Sequence, residues 1–133
     1  MRKIAIWCTK AHPIQDIQKM DLFSNHGIDE IINISDLNIP FQADLDNSPI
    51  GKKNLKELAK KLIEYLIKLY PNCNIVIVQP SGSPAFQYSL GSIADNYKNI
   101  ETLYAHSERV SEDVVQPDGT IKKLSVFKHV CFE

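Results

Sequence analysis

Few cysteines, no long apolar run and no excess of either charge set the first limits on this 133-residue chain. Cys8, Cys73 and Cys131 are odd in number and lack C-x-x-C spacing, which argues against a disulfide framework or a zinc knuckle and predicts reduced thiols in the cytoplasm. No apolar stretch reaches about eighteen residues, and Ile4 to Cys8 is too short for a signal-peptide core, so neither a membrane span nor a leader is expected. A net charge of -1 excludes a surface coated for bulk DNA or RNA binding. Any phosphate must therefore be recognised locally. The first apolar segment is followed by no G-x-G-x-x-G, and the chain has no G-x-x-x-x-G-K-[ST], G-x-S-x-G or H-E-x-x-H, so NAD and ATP are poor candidates and no cofactor is expected. His12, His26, His106 and His129 show no ligand-like spacing, and no metal site is expected either.

What remains is an ordinary globular composition, 44% apolar and 23% charged, long enough for one domain over residues 1–133 that buries roughly two-thirds of its unfolded surface. Lys3 to Cys8 reads as a first strand, and Pro13 followed by Ile14, Ile17, Gln18 and Asp21 reads as a first helix ended by Gly27 in the left-handed region. Ile28 to Ile34 is a second strand. Ser35 to Ile50 has no clear period and reads as a loop with room for one short helical turn. Lys52 to Leu69 sets Leu55, Leu58, Ala59, Leu62, Ile63, Leu66 and Leu69 on one face, an amphipathic helix stopped by Pro71. Asn74 to Val78 is an apolar third strand, and Ser83 to Tyr97 a helix capped by Ser83 with Pro84 in its first turn. Glu101 to His106 is a fourth strand. Alternation of strand and helix predicts a doubly wound, mainly parallel α/β core over residues 1–107. Arg109 to Val115 and Ile121 to Phe132, joined through Asp118-Gly119, predict an antiparallel hairpin over residues 108–133.

Ligands of such sheets bind outside the carboxyl ends of the strands, where strand order reverses. Thr9, Lys10 and His12 follow the first strand, Gln79, Ser81, Gly82 and Ser83 follow the third, and Ser107, Glu108 and Arg109 follow the fourth. Two permanent cations, several hydroxyls, an amide and the free N–H groups of a helix start suit a phosphate or a nucleotide. Trp7 and Phe86 could stack on a purine, yet both occupy core-like positions. Lys122, Lys123, Lys128 and His129 read as a basic edge that discourages pairing with another molecule.

Val76-Ile77-Val78-Gln79, Ser107-Glu108-Arg109-Val110, Asp118-Gly119-Thr120 and the stretch Val126 to Phe132 resemble a small stand-alone family found with type III CRISPR systems. That family is similar to a minimal CRISPR-associated Rossmann-fold domain, and its members are regarded as ring nucleases that open cyclic tetra-adenylate. The resemblance runs from about Val76 onward and matches only the strand and helix order before it. It implies that Gln79 ends the third strand as the family's glutamine does, that Glu108 and Arg109 belong to its Ser/Thr-Glu-Arg turn, and that Lys10 matches a lysine of the first loop. The chain departs from the family at Cys8-Thr9, where the pattern is Ser-His, and at Pro80-Ser81, where it is Gly-Asp-like.

Under this resemblance the reaction needs no external nucleophile and demands no metal. The ribose 2′-OH attacks the adjacent phosphorus in line, expels the 5′-oxygen and leaves a 2′,3′-cyclic phosphate. Lys10, Arg109 and the N–H groups from Ser81 to Ser83 would stabilise the phosphoryl charge, His12 would transfer the proton, Thr9 and Gln79 would orient ribose or base, and Ser107 would also contact the ligand. A two-fold symmetric ring suits a C₂ homodimer that presents the same crevice twice. The alternatives are a sensor or sponge that captures the ring without cutting it, and an accessory protein that docks through its basic hairpin.

Overall fold

The computed structural model describes residues 1–79 and 83–133. Its elements run β1 (Arg2–Trp7), α1 (Asp16–Asn25), β2 (Glu30–Asn33), a 3₁₀ turn (Ile34–Asp36), α2 (Gln42–Asp46), α3 (Lys52–Leu69), β3 (Cys73–Gln79), α4 (Pro84–Ala94), β4 (Ile100–Val115) and β5 (Ile121–Phe132). They form one sheet in the order β2-β1-β3-β4-β5. The first four strands are parallel and β5 returns antiparallel to β4. An α/β architecture with a mostly parallel sheet and a terminal antiparallel pair is thus present.

Strand pleating explains why both faces are covered. Ile4, Ile6, Ile75 and Ile77 point to one face and meet Leu58, Leu62, Ile63 and Leu66 of α3 with Leu90 of α4. Ala5, Trp7, Val76 and Val78 point to the other and meet Leu22 of α1, Ile28, Leu103 and Phe132. Central parallel strands buried on both sides need continuous apolar runs, and β1 and β3 carry them. Each such side chain taken from water contributes about 1.5–3 kcal/mol. Helix α3 has the expected limits and buries the expected stripe, except that Leu69 in its last turn is 44% exposed. Gly27 has φ 64°, as a residue closing α1 requires.

Several boundaries differ from those read in the sequence: β2 is Glu30–Asn33 rather than Ile28 to Ile34, α4 ends at Ala94 rather than Tyr97, and three further differences concern α1, the 35–50 segment and β4. Helix α1 begins at Asp16 rather than at Pro13, because the backbone N–H of Gln15 donates to Gln18 Oε1 at 2.9 Å and closes the first turn there. The Ser35 to Ile50 segment holds a 3₁₀ turn and α2, anchored by buried Ile39 and Phe41, whose ring meets Tyr65 edge-on at 5.8 Å. The fourth strand and the first arm of the hairpin are one continuous strand, β4, with a register shift between His106 and Ser107. That irregularity falls where the pair leaves the core. Among the described residues no helix is long and apolar enough to cross a membrane.

Candidate functional site

Strand order reverses at β1, which has β2 on one side and β3 on the other. The chain leaves the carboxyl ends of β1 and β3 at Cys8 and Gln79, with the Cys8 N–H still donating to Val78 O at 3.0 Å. A crevice of about 100 Å³ opens there, between these ends, α2 and the start of α4. Cys8, Lys10, Asp46, Gln79, Ser83 and Gln87 are among its lining residues. It lies on the sheet face covered by α3 and α4, since Leu62 and Phe86 of that cluster are among its lining residues.

The donors in this crevice are of three kinds. Ser83 is the N-cap of α4, and its Oγ accepts from the Phe86 N–H at 3.4 Å. Pro84 has no N–H and the Phe86 N–H is taken by the cap, so the start of that helix contributes chiefly its positive dipole end. Gln79 is 4% exposed, and its Nε2 has no hydrogen-bond partner among the described residues. A buried amide donor without an acceptor costs about 1–3 kcal/mol, so the site gains when a ligand oxygen reaches it. Lys10 is half exposed and stands 4.0 Å from Asp46 Oδ2 across the opening. Burial pushes the Cys8 thiol up to about 12, which leaves it protonated and a poor nucleophile at neutral pH. Replacing Ser83 by Ala is expected to remove about 1 kcal/mol from folding stability through the lost cap, read as a shifted denaturant midpoint at constant slope.

Other residues singled out in the sequence lie elsewhere. Thr9 Oγ1 accepts from the Ala11 N–H at 3.2 Å and so shapes the loop after β1. The His12 carbonyl accepts from Trp7 Nε1 at 2.8 Å, and His12 lines a second crevice of about 520 Å³ with Ser107, Phe127 and His129. This one lies on the α1 face, against Trp7 and Ala105. Arg109 is exposed on the neighbouring strand, its guanidinium 5.0 Å from the centre of the Phe127 ring. The structure therefore brings Lys10, Gln79 and Ser83 together, and separately groups His12 and Ser107 with Arg109 beside them. Trp7 is fully buried, and Phe86 is partly buried in the wall of the first crevice. Ser81 and Gly82 lie outside the described residues.

His129 corrects the sequence reading of a basic edge. Its side chain is 2% exposed and its Nε2 lies 2.8 Å from Asp21 Oδ2, joining β5 to α1 across 108 positions of sequence. Partial burial pushes the Asp21 carboxyl up, but hydrogen bonds from Asn25 and His129, and the charge of His129 and His26 when protonated, outweigh it and hold the group below the usual carboxylate range. Asp46 was also missed, because a lone aspartate in an irregular segment carries no spacing signal. Among the described residues, no three His, Cys, Asp or Glu side chains gather as a metal-holding group.

The fold and this crevice define an α/β protein whose mostly parallel sheet presents a polar, donor-rich pocket at the reversal of its strand order. A family model described as "Uncharacterized protein MJ1673 family" matches residues 5–133, and the chain belongs to that family. No curated protein and no solved structure matches it.

Proposed function

We propose that this protein is a Rossmann-like ring nuclease that binds cyclic tetra-adenylate at the β1–β3 crevice and opens it by 2′-OH attack, which would switch off type III CRISPR signalling. The observation that carries the reading is the meeting in one pocket of Lys10, the Gln79 amide, whose Nε2 has no partner among the described residues, and the Ser83-capped start of α4. A cation, a buried amide donor and a helix N-terminus are the groups that stabilise charge on phosphoryl oxygens. The ring carries its own nucleophile, so the protein's task is to hold the 2′-oxygen, phosphorus and 5′-oxygen in line. In this reading two copies join about a two-fold axis, and the ring, which is larger than one crevice, reaches donors on both subunits. Arg109 and His12, on the other face of the sheet, then act on further phosphates and hydroxyls of the same ring.

One observation favours capture without cleavage. His12, the proton-transfer candidate, lines the second crevice and not the one that holds Lys10. Incubation with cyclic tetra-adenylate in EDTA, followed by chromatography, separates the two readings. Products ending in a 2′,3′-cyclic phosphate are the expected result, whereas an intact ring with a raised melting temperature identifies a binder. An intact ring with no thermal shift defeats both readings, and a protein still monomeric at micromolar concentration with ligand present defeats the dimer.

A further inference from the structure

We propose that Asp46 is the acceptor for a ribose 2′-hydroxyl in the first crevice, so that the site selects ribonucleotide over deoxyribonucleotide phosphodiesters. The inference rests on the phosphodiester reading above and adds the feature of the ligand that the crevice reads. Asp46 supplies the one carboxylate among the described residues that line this pocket. For a bare phosphate that placement is adverse, because a carboxylate beside the anion site repels it. A ligand carrying a hydroxyl next to its phosphate removes the conflict, since an ionised carboxylate only accepts hydrogen bonds and the hydroxyl offers one.

The geometry fits such a group. Asp46 Oδ1 accepts from Gln42 Nε2 at 2.9 Å within α2, which occupies one of the two carboxylate oxygens. The other oxygen, Oδ2, faces Lys10 Nζ at 4.0 Å. That separation is too long for a direct hydrogen bond, and it leaves space for one oxygen to lie within bonding distance of both. In a ribonucleotide the 2′-hydroxyl adjoins the 3′-phosphate, so a phosphate held by Lys10 and Gln79 brings the hydroxyl towards Asp46. Deoxyribose offers nothing at that position.

The test titrates the wild-type protein and Asp46→Asn by calorimetry in EDTA with a phosphorothioate-linked cyclic tetra-adenylate, which keeps every 2′-hydroxyl but resists ring opening, and with the 2′-deoxy counterpart of that ring. The wild type is expected to prefer the ribose ring by about tenfold, the worth of one hydrogen bond to a charged group, and Asp46→Asn to bring the two affinities together. Asp46 is half exposed and Asn is isosteric, so the variant is expected to melt with the wild type. An unchanged preference in Asp46→Asn overturns the inference, as does a wild type that binds both rings equally. Both outcomes leave the adenylate reading standing, whereas a wild type that binds neither ring ends both.

Discussion

On the proposed ring-nuclease function, Lys10→Ala is expected to slow opening of cyclic tetra-adenylate by roughly 10²–10³-fold, the usual cost of losing one donor to developing oxyanion charge. Lys10 is half exposed and its ion pair with Asp46 is long, so the substitution should leave folding stability within about 0.5 kcal/mol of wild type. Rate and stability thus separate, and a melting curve recorded beside the single-turnover rate checks both. A folded Lys10→Ala protein that opens the ring at the wild-type rate removes this side chain from the site. Arg109→Ala supplies the comparison. Within one subunit Arg109 stacks on Phe127 beside the α1-face crevice, on the other side of the sheet from the pocket that holds Lys10. An equal loss in Arg109→Ala therefore requires one ring to engage both walls, which a two-fold pair of subunits allows and a single crevice does not.

His129→Ala is expected to cost about 2 kcal/mol of stability at neutral pH, because it leaves Oδ2 of the Asp21 carboxylate, only 10% exposed, without its partner while Asn25 still donates to Oδ1 at 2.7 Å. The pH dependence has a definite sign. The folded-state pKa of Asp21 is depressed, so its contribution is present above the ordinary carboxylate value and is lost as pH falls through the folded value. The stability gap between wild type and His129→Ala should accordingly narrow below about pH 4, where the wild type loses the same interaction by protonation. Urea melts of the two proteins at neutral and acidic pH measure this. A gap that stays constant into acid would assign the His129 effect to its packing on Phe132, whose ring centre lies 4.5 Å from that of the imidazole.

The parts of this molecule legible from sequence are those in which one segment carries its own instructions. Helix α3 is specified by its apolar stripe and by the stop at Pro71 and occupies the expected place, while α4 starts at the expected Ser-Pro pair but ends at Ala94, short of Tyr97. Strands β1 and β3 declare themselves through apolar runs that only a two-sided core can hide. Where β4 passes His106 the sheet loses its covering layers, and the side chains from Ser107 to Arg109 turn polar. The pattern that marks a buried strand therefore stops while the strand itself goes on, held by its ladder to β5. The candidate site is legible to the same degree. Lys10, Gln79 and Ser83 follow from the rule that ligands lie beyond the carboxyl ends of the strands, which needs only the order of elements. Asp46 and the Asp21–His129 pair depend on how α2 and β5 dock against other elements, and no local pattern encodes that.

The β4–β5 ribbon runs from the bulge at His106 to a turn at Asp118-Gly119, where Gly119 has φ 86° and Asp118 Oδ1 accepts from the Thr120 N–H at 3.0 Å. Between Glu108 and Lys128 its side chains are exposed or half-buried on both surfaces, so the ribbon's amides are shielded by the partner strand alone. Opening there uncovers little apolar area and leaves the two central clusters intact. The tip is consequently the region of the chain best suited to accept an inserted epitope or fluorophore, far along the polymer from the core that sets the melting temperature.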